Sequence, residues 1–483
     1  MAQITDKKSP ITTFRDRALS LWQASVHSAL VERVSGSDET AQNHAAATAD
    51  HPYMAATVGA MRNFADSGQF KPPVHRASSV AEVTDCARLY AELAWNKVFD
   101  PQKAREMESE LSFSICDPFW AKCLLTYDEY LKTGKTQPYI VHSDVADYVL
   151  TCLPDKGTVA VIADWGTGMD DAVVLAQQIA TYFKPDVLIH LGDVYYAGLP
   201  QEIDRHFLQP LAKAWPTNQP LIFALDGNHD RYAGASGGYY SMLANLNKEA
   251  GIPQPNSYFA LRSNFWQLLS LDTGYHDADP AEEAKDLTFL EESEVAWHLD
   301  KIHNSGLGVD AVKNPAQTRG TVLLSHHQLF SFQGAGNSAE GKPLAVNLKL
   351  AQAFQPVFSQ IALWLWGHEH NLCIFEPYTM AIGVTLPPGR CIGAGAVPNL
   401  VSTTRPPDNL LLPPSESAPP RVVPGTELRN NGTVDNHAYA ILRLDGPSLT
   451  IEYYQFDSTK PEVGNPPAPE TPTYVESVTL PKV

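Results

Sequence analysis

Five short segments of the chain each place an oxygen or imidazole donor at the end of an apolar run: Asp164, Asp193 with Tyr196, Asn228 with His229, His326, and His368 with His370. Donors of these types suit divalent and trivalent first-row metals. In Leu191-Gly192-Asp193-Val194-Tyr195-Tyr196 a glycine bends the chain and an aspartate stands where a buried strand ends. We read Asp193 as a carboxylate bridging two metal ions, and Tyr196, three residues on, as a ligand to one of them. One carboxylate can span two ions about 3.5 Å apart, the geometry of two-metal catalysis. His368 and His370 are two apart, so in an extended segment both point the same way and can serve neighbouring ions. Any one segment arises by chance, and Gly-Asp alone is an ordinary turn pair. The ordered set, each member at a strand end, carries the signal.

Those donors need strands to hold them. From Gly157 the chain alternates apolar, β-branched runs with amphipathic stretches. Thr158–Ala163, Asp186–Leu191 and Leu221–Leu225 read as strands, and Asp171–Phe183 and Gln201–Trp215 as the helices between them. This is the pattern of βαβ units, whose ligands bind at the C-terminal edge of the sheet. A hairpin, Tyr258–Leu261 and Trp266–Leu271, runs into Asp272, and a helix is expected over Leu287–His303. Thr321–Ser325 runs into His326-His327, and Ile361–Trp366 runs into Gly367-His368-Glu369-His370. Dense proline from Leu386 to Gly425 predicts a long surface excursion without regular structure. A hairpin over His437–Phe456 and a strand over Tyr474–Leu480 close the chain.

Residues 1–155 have a different character. Apolar residues recur at helical spacing in Thr12–Val34 and Val80–Phe99, and one or two further helices fit Glu108–Leu131. His51, His75 and His142 are scattered and read as ordinary surface or core histidines. We therefore divide the chain into a mostly helical N-terminal region, 1–155, and a catalytic domain, 156–483, with 386–425 as its proline-rich excursion. The N-terminal role is left open between capping the site and assembly.

At 483 residues and 44% hydrophobic, the chain can fill more than one core. Its 54 acidic and 35 basic residues give a net charge of −19. That argues against binding nucleic acid or an anionic membrane, both of which call for a basic surface. No apolar run is long enough to span a bilayer. The N-terminus is polar with no secretory h-region, and the six cysteines are dispersed without a CxxC pattern, so we expect reduced thiols and a cytoplasmic location.

With these segments assembled, the chain resembles a known family. Asp164-x-Gly166, Gly192-Asp193-x-x-Tyr196, Gly227-Asn228-His229-Asp230, His326 and Gly367-His368-x-His370 are similar to the five ordered blocks of the calcineurin-like metallophosphoesterases. The first block's DxG form and the second block's tyrosine resemble purple acid phosphatases, closest to the compact mammalian, tartrate-resistant type. The resemblance covers roughly residues 157–400. It implies an α/β fold, the four-layer α/β/β/α sandwich of that family, here with an N-terminal mostly helical extension. It gives a first ion Asp164, Asp193, Tyr196 and His370, and a second ion Asp193, Asn228, His326 and His368. A phenolate donor implies Fe(III) at the first position, with Fe(II), Zn(II) or Mn(II) at the second. A terminal or bridging hydroxide would then attack phosphorus in a small phosphate ester. His229 would face the substrate and donate to phosphoryl oxygens or the leaving group, with Asp230 orienting its ring or capping the next turn.

The chain departs from that family in places. Arg231 follows the GNHD block where the mammalian type has histidine; it is read as a bidentate phosphate ligand or as a surface residue. His327 is left facing substrate or packed behind the ligands, and Asp272 is read as structural. The loops Arg231–Tyr240 and Phe332–Val346 are expected at the mouth of the site, with Lys342 a candidate for substrate charge. The favoured reading is a phosphomonoesterase. A phosphodiesterase with two divalent ions is the alternative enzyme, and a catalytically silent interaction protein the alternative of another class. Oligomeric state is left open.

Overall fold

The apolar runs of the second part of the chain pair into two sheets. The computed structural model describes residue 130 and residues 139–481, apart from 233–237, 279–286, 306–317, 340, 398–405, 431–434 and 458–461. The helices expected in Thr12–Val34, Val80–Phe99 and Glu108–Leu131 lie outside the described residues, Tyr130 excepted. The chain divides into two compact units, one of residues 1–135 with 279–283 and one of 136–278 with 284–483. Everything below concerns the second.

Thirteen strands are present among the described residues: β1 (Val149–Leu150), β2 (Lys156–Ile162), β3 (Val187–His190), β4 (Leu221–Ala224), β5 (Phe259–Arg262), β6 (Trp266–Ser270), β7 (Gly320–Ser325), β8 (Ile361–Trp366), β9 (Leu372–Ile374), β10 (Gly389–Ile392), β11 (His437–Asp445), β12 (Ser448–Phe456) and β13 (Tyr474–Thr479). One sheet has the order β13-β12-β11-β2-β3-β4, the other β1-β5-β6-β7-β8-β10-β9. β2, β3 and β4 are parallel, as are β6, β7 and β8. Their C-terminal ends therefore lie along one edge of each sheet. The β11–β12 hairpin pairs antiparallel onto β2. β1 pairs with β5, so the sheet begins before the expected boundary at 155.

The period of two sorts each strand's side chains between layers. Val159, Val161, Ile189, Leu268, Val322, Leu324, Leu363 and Leu365 meet between the two sheets. Ala160, Ile162 and Leu188 face the other way, onto α1 (Asp170–Tyr182) and α2 (Gln209–Ala214) through Val174, Ile179 and Leu211. Leu269, Leu323 and Trp364 face α4 (Glu292–His303) and α5 (Leu348–Phe354) through Trp297, Ile302, Leu350 and Phe354, and a short helix α3 (Tyr239–Leu243) packs with the first helical layer. The result is helices, sheet, sheet, helices. Strands buried on both faces read as continuous apolar runs, which is why β2, β3, β7 and β8 were visible in the sequence.

The helix expected over Gln201–Trp215 is present and runs without a gap from Pro200 to Ala214, with a π segment at Ile203–Leu208 between Pro200–Glu202 and α2. Pro210 has no N–H to continue the α ladder there. The helix expected from Leu287 starts only at Glu292. The stretch expected to lack regular structure contains β10, which pairs with β8 and β9; four residues after a Pro-Pro pair were too few to show a period. Cys152, Cys373 and Cys391 are free thiols. Among the described residues no helix is long and apolar enough to cross a membrane.

Candidate metal centre

The candidate ligands sit where strand backbones turn sharply. Asp164, Asp193 and His368 take left-handed φ values of 51°, 72° and 65°. For residues with a Cβ this is uncommon and costs energy, and such strain concentrates at functional sites. Gly192 (φ 103°) makes the Asp193 turn possible, since a Cβ there would stand 2.6 Å from the Gly227 backbone nitrogen. The loops after β3 and β4 thus touch through bare backbone.

Two clusters result. In the first, single donor atoms of Asp164, Asp193 and His370 all lie within 4.8 Å of one another. His370 Nε2 is 3.5 Å from Asp164 Oδ1. The His368 N–H donates to Asp164 Oδ2 at 2.8 Å, tying the β2 and β8 ends together. The phenol at this cluster belongs to Tyr195: its hydroxyl donates to Asp164 Oδ1 at 3.2 Å and lies 2.9 Å from His370 Nε2. The sequence reading placed Tyr196 there and Tyr195 in packing. A count of three from Asp193 does not set side-chain direction here, because the backbone is irregular: Asp193 is left-handed, Val194 bridges Gly166 in parallel, the Tyr195 N–H donates to the Gly166 carbonyl, and the chain turns over Tyr195–Ala197. Tyr196 contributes its carbonyl, 2.7 Å from His229 Nδ1.

The second cluster holds Asn228, His326 and His368. Asn228 Oδ1 lies 3.0 Å from His326 Nε2 and 3.1 Å from His368 Nδ1, and the two ring nitrogens are 3.2 Å apart. Asp193 Oδ1 reaches the same group, 3.4 Å from His326 Nε2, and so stands between the clusters. Asn228 Nδ2 donates to the Tyr232 hydroxyl, which turns the amide oxygen toward the histidines. His326 Nδ1 lies 2.9 Å from the Leu191 carbonyl, so its proton sits on Nδ1. Burial pushes the ring's pKa down to about 3, so it is neutral. Its Nε2 lone pair therefore faces the lone pairs of the Asn228 oxygen. Two acceptors at hydrogen-bond distance repel unless a cation stands among them, and this donor set fits one.

The carboxylates show the same need. Burial raises the pKa of Asp193 well above the usual range, and the charges of Asp164 and Asp230 add to it. Burial also pushes Asp164 up, but contacts with His370, His326 and the His368 amide outweigh it and leave it low. Bound cations would let both ionise together.

Two residues, Asp230 and Arg231, differ in role from expectation. Asp230 does not orient His229. Its carboxylate accepts the N–H groups of Gly227 (2.8 Å), Asp193 (2.9 Å) and Val194 (3.2 Å), pinning the β3 and β4 loops together. The His229 ring is set instead by the Tyr196 carbonyl. It lies fully buried between the rings of Tyr195 and Tyr232, with Nε2 3.9 Å from Asp193 Oδ2. Arg231 is neither a surface residue nor positioned for phosphate: it is fully buried and paired with Asp226 and Asp272. Asp272 is structural, as read. His327 offers a donor atom that lies with those of His326 and His368 within 4.8 Å of one another, and its Nε2 is 3.0 Å from Asp277 Oδ2, its Nδ1 3.2 Å from Thr273 Oγ1 and its ring 4.4 Å from that of His368. Sequence reasoning missed the loop Asp272–Asp277 as a support; its signal was Asp272 at the end of a strand, as at the other blocks.

The strand ends of the two sheets thus bring carboxylate, amide and imidazole donors together in groups that could hold metal ions. Residues 157–372 match the model of the calcineurin-like phosphoesterase family, so this stretch is a calcineurin-like phosphoesterase domain. Among solved structures, the chain is similar to a purple acid phosphatase from yellow lupin (Lupinus luteus) seeds at 15% identity, over 68% of this chain and 55% of that one, with a TM-score of 0.36. The chain thus spans little more than half of that protein. Vps29 of Chaetomium thermophilum is similar at 11% identity over 68% of this chain and 100% of that one, TM-score 0.26. The phosphopantetheinyl hydrolase of Mycobacterium tuberculosis is similar at 17% over 50% and 91%, TM-score 0.24. These likenesses are too distant to carry an argument. No curated protein searched matches the chain.

Proposed function

We propose that the chain is a binuclear metal-dependent hydrolase of small phosphate monoesters, similar in chemistry to purple acid phosphatases. The observation that carries this reading is the pair of facing acceptors, His326 Nε2 and Asn228 Oδ1 at 3.0 Å, with Asp193 beside them. Asp164, Asp193, His370 and a tyrosine would hold a first ion, Fe(III). Asp193, Asn228, His326 and His368 would hold a second, Fe(II), Zn(II) or Mn(II). Tyr195 is the tyrosine we place on the first ion, and Tyr196 is the one the sequence resemblance implies. When bound, the ions supply an acidified water as nucleophile and positive charge for the phosphoryl oxygens. Asn228, being neutral, leaves the second position its positive charge. The Leu191 carbonyl holds His326 in the tautomer that presents Nε2. His229 holds its Nδ1 proton against the Tyr196 carbonyl, so it delivers a proton through Nε2 only as the imidazolium.

A specific observation favours a second reading, a phosphodiesterase with two divalent ions. The Tyr195 hydroxyl donates to Asp164 Oδ1 at 3.2 Å, the geometry of a hydrogen-bond donor rather than of a phenolate ligand. The test is hydrolysis of para-nitrophenyl phosphate and of its bis-ester, with visible absorption recorded on the same sample. A coloured protein that prefers the monoester supports the first reading. A colourless one that prefers the diester supports the second. Hydrolysis unaffected by full chelation of metal contradicts both.

A further inference from the structure

Arg231, the last member of the GNHDR segment, has no part in the proposed chemistry, yet it is fully buried. It ends a short turn, His229–Arg231, in which its N–H donates to the Asn228 carbonyl. Its guanidinium then leaves the site. Nε donates to Asp226, at the end of β4, and Nη2 donates at 2.8 Å to Asp272, at the end of β6. β4 belongs to one sheet and β6 to the other. The rings of Tyr240 and Tyr275 flank the guanidinium at 5.5 and 5.4 Å. One planar fork therefore ties the strand ends of both sheets together, directly behind Asn228.

The far side of that tie leads back to the centre. Gly274 packs so closely that a Cβ would stand 2.7 Å from the Gly227 carbonyl. Thr273 Oγ1 accepts the His327 N–H at 3.0 Å, and the His327 ring backs that of His368. Arg231 thus secures Asn228 from one direction and, through the Asp272–Thr273 turn, His368 from the other. Both are assigned to the second ion. The contacts described above for Asp164, Tyr195 and His370 do not pass through Arg231, Asp272 or Thr273.

We infer that Arg231 is a positioning residue for the second metal ion, clamping the Asn228 turn to the Asp272–Asp277 loop. The inference rests on the two-metal reading above. A lysine at this position would keep the charge but not the fork that spans two carboxylates. Outer supports of metal ligands typically contribute about 10- to 100-fold to affinity.

The experiment compares the wild-type chain with Arg231→Lys and, separately, Asp272→Asn. Each is titrated with a chelator, and the content of each metal is followed by mass spectrometry alongside circular dichroism. The expected result is retention of the first ion, loss of the second at about 10- to 100-fold lower chelator concentration, an unchanged fold, and activity recovered by added divalent metal. Second-ion affinity at the wild-type level in Arg231→Lys overturns the inference. So does loss of both ions in parallel with the fold in both variants, since that makes Arg231 a fold-wide ion pair. A wild-type chain that binds no metal overturns the two-metal reading, and the inference with it.

Discussion

The two halves of the centre are built from different chemistry on the same scaffold. The first half gathers a carboxylate, a phenol and an imidazole from the loops after β2, β3 and β8, with Asp193 at its border. The second half gathers an amide and two imidazoles from the loops after β4, β7 and β8. Anionic donors favour a hard, highly charged ion, and neutral nitrogen and amide donors a divalent one. The supports differ as well. The first half is tied by backbone N–H groups, His368 to Asp164 and Tyr195 to Gly166. The second is tied by side chains: Arg231, which links the β4 loop to Asp272 after β6, and the Thr273–His327–Asp277 group. Asp193, the proposed bridge between them, belongs to a loop held by three N–H groups donating to Asp230. The difference teaches that the halves should be separable by mutation.

Asp193→Asn should abolish the distinction, because both halves share that carboxylate. We expect activity to fall by at least about 10⁴-fold, since the acidified water depends on the bound ions, with metal content dropping in parallel; activity near wild type would remove Asp193 from the centre. His229→Asn should touch neither half: metal content stays, and kcat falls about 100-fold, the low end of general-acid contributions. A change in KM alone would confine His229 to binding. His326→Ala should separate the halves, with the second ion bound about 100-fold more weakly, at the upper range for disturbed metal sites, and the first retained. Equal loss of both ions would mean the clusters act as one. The smallest effect on rate, and the finest cut, is expected from the two tyrosines. Tyr195→Phe should change the visible absorption of a ferric centre and Tyr196→Phe should leave it in place; the reverse result restores the assignment that the sequence spacing supports.

Much of this was legible in the sequence because it follows from local pattern. β2, β3, β7 and β8 are buried on both faces, so their apolar runs ended visibly at Asp164, Asp193, His326 and Gly367. The pairings of His326 with Asn228 and of His370 with Asp164 join residues far apart in sequence, and they were inferred only from order and resemblance. Side-chain direction was less legible. Tyr195 and Tyr196 differ by one residue, and the left-handed Asp193 with the turn that follows it leaves no fixed period from which to read which faces Asp164. For Arg231 the sequence supports a phosphate ligand or a surface residue, because charge is rarely buried, yet two aspartates from different strand ends compensate it in the interior. Asp230 was read toward its neighbour His229, whereas its three partners are backbone amides that no sequence pattern marks.

The central claim, two unlike metal ions joined by Asp193, is tested most directly by the metal content of the purified chain, measured with its visible spectrum and repeated for Asp193→Asn. The account predicts two ions per wild-type chain, one ferric with a charge-transfer band and one divalent, both depleted in the variant. A wild-type chain holding a single ion or none, or an Asp193→Asn variant that keeps both, would contradict it.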